Sequence, residues 1–147
     1  MTTLDPGCIF CRIIRGEVPS FRVFEDERTL AFMDINPVNP GHVLVIPKIH
    51  AETIFVLEEP WLTATVLVAQ KLARAVQAVF QPYGLNIVQA NGPGAAQSVR
   101  HVHWHVMPRA KGDGLPMNWP LVAGDMGAIA DAAERIRSAL DRGDPPA

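Results

Sequence analysis

An α+β domain on an antiparallel sheet is the fold class the sequence predicts, and three observations lead to it. Five short apolar runs are joined mostly by turns, which suits antiparallel pairing. One long amphipathic stripe interrupts them. The chain has 147 residues, 48% of them apolar and 19% charged, enough for one domain with a sizeable core. We place that single domain at residues 1–141 and a loose tail at 142–147, which holds Gly143, Pro145 and Pro146.

In chain order, Ile9–Ile14 reads as a short helix ended by Gly16 and Pro19. Phe21–Glu25 alternates like a strand. Asp26, Glu27 and Arg28 turn it into a hairpin partner at Thr29–Asp34. Pro37, Asn39, Pro40 and Gly41 mark a loop, and His42–Ile46 follows as a β-branched strand that Pro47 stops. Pro60–Gln81 is the long helix, with Leu62, Val66, Ala69, Ala73, Val76 and Phe80 recurring at helical spacing. Glu58 and Glu59 suit the positive end of its dipole, Pro60 fits its first turn, and Pro82 ends it. Leu85–Ala90 reads as a strand, Asn91–Gly94 as a loop, and the fifth strand carries His101, His103 and His105. Met126–Leu140 reads as a second helix with Ile129, Ala133, Ile136 and Leu140 as its stripe.

Composition narrows the function classes. A net charge of −2 without a basic run argues against a polymeric nucleic-acid partner. No apolar stretch approaches the ~18 residues of a membrane span. Met1–Pro6 lacks the pattern of a secretory signal, so a cytoplasmic protein is expected. In that setting the Cys8-x-x-Cys11 pair suits a metal or reduced thiols better than a disulfide.

The histidine row is the feature richest in chemistry. On a strand, His101, His103 and His105 share one face, while Val102, Trp104 and Val106 take the other. Three roles compete for the row. Imidazoles tolerate a half-exposed strand and can be filler. A three-histidine metal site is disfavoured, because residues two apart are roughly 6.5 Å apart and the outer pair roughly 13 Å, whereas zinc–nitrogen bonds are about 2 Å. In the third role one neutral imidazole attacks phosphorus, and the others position the phosphate or hold structure. Such a nucleophile needs its far nitrogen protonated and fixed, which a backbone carbonyl would do, and it needs donors for the phosphate oxygens. Gln97, Ser98 and His105 are the local candidates.

His101-Val102-His103-Trp104-His105-Val106 resembles the pattern of the histidine triad nucleotide hydrolases and transferases. The resemblance extends to Cys8–Ser20, Ala31–Pro37, Gly41–His50 and the run from Asn91 through Gly94 to Gln97-Ser98-Val99, about residues 8–110 in order. It implies a histidine-triad-like fold, a five-stranded antiparallel sheet with one long helix, paired as a homodimer with a sheet continuous across the interface. It also implies a purine nucleotide substrate and hydrolysis of a phosphoramidate, nucleotidyl anhydride or dinucleoside polyphosphate. His103 would attack the α-phosphorus, with His105, His42, Ser98 and Gln97 around the phosphate. Asn91 would sit by ribose and phosphate, and Asp34 would bind the ribose hydroxyls. Ile9, Phe10, Ile13, Phe32 and Ile35 would form the purine slot, although each alone fits ordinary core. No catalytic metal is required. By the same resemblance, Cys8, Cys11, His50 and His101 form a ligand set for a structural zinc. A rival reading is a purine-nucleotide sensor with little turnover; release of AMP separates the two. Arg109, Lys111 and Asp113 are read either as shaping the leaving-group side or as solvated loop charges.

Overall fold

Residues 3–143 are described by a computed structural model. Its elements are α1 (Ile9–Ile14), β1 (Arg22–Glu25), β2 (Thr29–Met33), β3 (Val43–Pro47), α2 (Glu59–Phe80), β4 (Gly84–Gln89), β5 (Trp104–Arg109) and α3 (Met126–Arg142). The sheet order is β1-β2-β3-β5-β4, with every neighbouring pair antiparallel.

Period-two alternation in β2 and β3 builds two cores on opposite faces of the sheet. Leu30, Phe32, Leu44 and Ile46 pack with Phe10, Cys11 and Ile13 of α1. Ala31, Val43 and Val45 pack with Val68, Ala69, Leu72 and Val76 of α2, and Val106 joins them from β5. His105 stands opposite Leu44 in the register, so its ring belongs to the α1 face. His42 immediately precedes β3 and shares that face by alternation. The same rule that buries α2 on one side therefore gathers the histidines on the other.

Two expectations are adjusted. The stripe read on α2 shares Ala69 and Val76 with the buried one but is rotated from it by roughly 65°, at 3.6 residues per turn. Thr65, Val68, Ala69, Leu72 and Val76 are buried, whereas Val66 and Phe80 are exposed. The helix carries two apolar faces, and a hydrophobic count cannot tell which one meets the sheet. Thr65 belongs to the inner face because its Oγ1 donates to the Leu62 carbonyl (2.8 Å) and accepts the Trp104 Nε1–H (3.1 Å). The fifth strand also begins later than expected. β5 starts at Trp104, so His101 and His103 lie on the segment leading into it.

The chain divides into two compact units, Met1–Asp113 and Gly114–Ala147. In the second, Asp125 Oδ1 accepts the Ala128 N–H to cap α3, and Gly143 closes its far end with φ +63°. Ile129, Ile136 and Leu140 are exposed. Of the expected tail, residues 144–147 lie outside the described residues. Among the described residues, no helix is long and apolar enough to cross a membrane.

Candidate active site

A cavity of about 250 Å³ opens on the α1 face. Ile9, Phe10 and Ile13 line it from α1, Phe32, Asp34 and Ile35 from β2 and the turn after it, and Ser98, His103 and His105 from the triad segment. Nine of the residues named from sequence thus meet in one place. Phe10 stands edge-on to His103, with ring centroids 5.3 Å apart at 88°, and edge-on to Phe32 at 5.4 Å. These contacts hold the His103 ring against the apolar wall.

Hydrogen bonds assign the protons on each imidazole. His103 Nδ1 lies 2.7 Å from the His101 carbonyl, which can only accept, so Nδ1 carries the proton and Nε2 keeps its lone pair. Val38 donates its N–H to His42 Nδ1 at 3.1 Å. Neutral His42 therefore carries its proton on Nε2 and donates it to His105 Nδ1 at 2.9 Å. His105 is left with Nε2–H as its donor. One bare nitrogen and one fixed N–H thus occur on adjacent rings whose centroids are 5.0 Å apart.

Electrostatics favours these neutral forms. Burial pushes His103 and His42 below the ordinary imidazole value, while the Asp34 carboxylate pulls both back up. Burial, then the neighbouring rings of His103 and His42, push His105 down to about 4. Asp34 Oδ1 accepts the Asn36 N–H at 2.8 Å, and Oδ2 lies 3.4 Å from His42 Nε2. The carboxylate lines the cavity while also facing the histidine pair.

Gln97 and Asn91 are not brought into the cavity lining. Gln97 Oε1 accepts the Gly92 N–H at 2.7 Å, and its Nε2 donates to the carbonyls of Glu52 (2.6 Å) and Val99 (3.1 Å). Asn91 Oδ1 accepts the Ile54 N–H at 2.8 Å, and its amide pairs with the Gln89 side chain. Both amides brace loops with the groups a phosphate would need. Sequence reasoning missed Val18, Pro19, Ser20, Met33, Asn36, Leu44 and Val99 in the lining. Leu44 was recoverable, because it lies two residues from His42 on the same strand face. A backbone carbonyl on the far nitrogen of the nucleophile was expected, and His101 supplies it; the Val38 N–H is a backbone group that no residue type announces.

Beside the cavity, one ligand atom from each of Cys8, Cys11, His50 and His101 lies within 4.8 Å of every other. His101 Nδ1 is 3.5 Å from both sulfurs, and His50 Nδ1 is 3.4 Å from Cys11 Sγ. Tetrahedral zinc with two thiolates and two imidazoles has nitrogen–sulfur edges of about 3.5 Å. His101 Nε2–H donates to the Pro47 carbonyl at 3.0 Å, which leaves Nδ1 bare toward the sulfurs. Burial, the largest cause, pushes the Cys11 thiol up to about 11, so a bound cation is what would make it a thiolate. A second trio, Asp34, His42 and His105, is as compact. It is a poor ligand set, since metal on His42 Nε2 would force a proton onto Nδ1 against the Val38 N–H.

A family model of the HIT domain matches residues 15–112. The relative called Protein hit, from Bacillus subtilis, is 46% identical over 120 residues, covering 81% of this chain and 83% of its own length. An adenosine 5'-monophosphoramidase of Saccharomyces cerevisiae is 37% identical over 143 residues, covering 97% of this chain and 88% of its own length. The solved structure of a zinc-bound histidine triad family protein from Mycobacterium smegmatis matches with a TM-score of 0.70 and 33% identity, over 94% of this chain and 98% of that one.

Proposed function

Because the chain belongs to the HIT-domain family, we propose that it hydrolyses purine nucleotides carrying a leaving group on the α-phosphate, with His103 as nucleophile. The observation that carries this reading is the His103 Nδ1–H bond to the His101 carbonyl, which leaves Nε2 bare beside an apolar slot. That lone pair forms a bond to the α-phosphorus as the bond to the leaving group breaks and the leaving group takes up a proton from solvent, giving a nucleotidyl-histidine. Water then attacks phosphorus, the P–N bond breaks, and a nucleoside monophosphate such as AMP departs with His103 restored. His105 Nε2–H is the donor for the phosphoryl oxygens, and His42 keeps it so. Ser98 contacts the phosphate or the leaving group. A flat base suits the slot of Ile9, Phe10, Ile13, Phe32 and Ile35, with Asp34 an acceptor for ribose hydroxyls. On this reading Gln97 and Asn91 act by shaping the loop that presents Ser98.

Incubation with adenosine phosphoramidate and with diadenosine polyphosphates, following AMP, tests the reading. Release by the wild type and its loss in His103→Ala are expected. Release by the variant at the wild-type rate from every substrate would overturn it.

Cys8, Cys11, His50 and His101 would hold a structural zinc, which supplies a crosslink between the N-terminal segment and the triad segment. Thiolate ligands fit a reducing cytoplasm. A homodimer is supported by the edge position of β4 and by exposed Val66, Leu67, Phe80 and Ile87 on and beside α2. Light scattering on wild type and Ile87→Arg tests it, with a dimer and a monomer expected.

A further inference from the structure

The far end of β5 carries a polar cluster that the reaction above does not use. Arg109 meets Asp113 in a bidentate pair, Nε to Oδ2 and Nη2 to Oδ1, both at 2.8 Å. Its Nη1 donates to Asn86 Oδ1 on β4 at 2.9 Å. Asp113 Oδ2 also accepts from Asn39 Nδ2 at 3.0 Å, and the same amide donates to the Pro108 carbonyl at 2.9 Å. Both protons of that amide are therefore spent, and Asn39 is clamped to the end of β5 and the turn after it.

Asn39 sits in the loop that controls His42. Its neighbour Val38 gives the N–H that His42 Nδ1 accepts, and the Asn39 carbonyl accepts the His42 N–H at 3.3 Å. Two residues on, Gly41 has φ +97°, and a Cβ there would lie 2.7 Å from the Phe80 ring. The loop is thus pinned at Asn39 and meets the Phe80 ring at Gly41, and Val38, the residue before Asn39, gives its N–H to His42.

We propose that Asn39, held by the Arg109–Asp113 pair, is a positioning residue that sets the tautomer of His42 and, through it, the donor face of His105. Releasing the clamp lets Val38 drift from His42 Nδ1. The His42 proton can then sit on either nitrogen, and His105 no longer has one fixed tautomer. The network reaches the reacting groups through hydrogen bonds and the Val38–Asn39 backbone, and neither Asn39 nor Asp113 lines the cavity. Its effect on turnover rests on the proposed function; its effect on the tautomers does not.

Long-range proton–nitrogen NMR on the ligand-free protein reads the tautomers directly. In the wild type, His42 and His105 are both expected with bare Nδ1 and protonated Nε2. In Asn39→Ala, mixed signals on both rings are expected, with kcat falling roughly ten- to hundredfold, as misplaced catalytic groups do. Asp113→Asn keeps the shape and weakens the pair, and should shift the same signals. A folded variant of either kind with the wild-type nitrogen pattern would overturn the proposal. Failure of both variants to fold would also overturn it, assigning the clamp to stability alone. A wild type that releases no AMP counts against the proposed function, and the nitrogen pattern still decides this linkage.

Discussion

His105→Asn separates the two duties assigned to His105. The asparagine carbonyl can still accept the His42 Nε2–H, but the titrating ring and its Nε2–H donor are gone. Unfolded, the imidazole binds its proton near 6.5; folded, it does so only near about 4. Between those values the unfolded chain holds more protons, so stability falls as pH falls. From pH 7 to pH 5 this one ring should cost about 2 kcal/mol, a shift of about 1 M in a urea midpoint. The side chain is only 22% exposed, so solvent screening trims that figure little. Urea melts at both pH values should show the wild type losing about 2 kcal/mol more than the variant. His101 is common to both and cancels in the difference, whereas His42 and His103 adjoin this ring and lose its repulsion in the variant. At pH 7 the variant should also release AMP roughly 10²–10³ times more slowly, the usual effect of deleting one oxyanion donor. Matching pH slopes in the two proteins would refute the claim that the fold holds this ring neutral.

Other expectations follow from the same geometry. Thr65→Val leaves the Trp104 Nε1–H without its partner under α2 and should cost roughly 1–3 kcal/mol by chemical denaturation, with little change in turnover. Metal-replete protein should contain about one zinc per chain by elemental analysis. Cys11→Ala should lose that zinc and melt at a lower temperature, and a zinc-free wild type of equal stability would remove the site. Gly41→Ala should destabilise by more than about 1 kcal/mol because φ +97° and the Phe80 ring both oppose a Cβ. Phe80→Ala in that background should recover only part of the loss, since the backbone strain stays.

Much of the fold is legible in residue order because alternation is a strong signal where strands are buried. Leu30, Phe32, Leu44 and Ile46 fall on one face and Ala31, Val43 and Val45 on the other, as period two requires. Helix α2 was harder. Its two apolar stripes are both plausible cores, and the choice between them depends on Trp104, some forty residues away, reaching Thr65. In the site, the histidine row was readable by type and spacing, whereas the apolar slot, His42 and Asp34 came only from the family resemblance, since each apolar residue alone fits ordinary core. The histidine row, however, is not one unit. His101 turns to the sulfurs, its carbonyl holds His103, and His105 pairs with His42. Gln97, a candidate by type, and Asn91, named from the resemblance alone, both bond within their loops, because an amide that suits a phosphate suits a tight loop equally well. Asn39 reads as an ordinary loop residue and Asp113 as either shaping the leaving-group side or a solvated loop charge, and their connection to His42 exists only once the strands are paired.

The central claim is that His103 Nε2 becomes bonded to phosphorus during turnover. A single turnover with an adenosine phosphoramidate, quenched in base and digested, should yield the peptide bearing His103 heavier by one adenylyl group. That adduct should be absent from His103→Ala. An adduct on another residue, or His103→Ala turning over at the wild-type rate, would contradict the account.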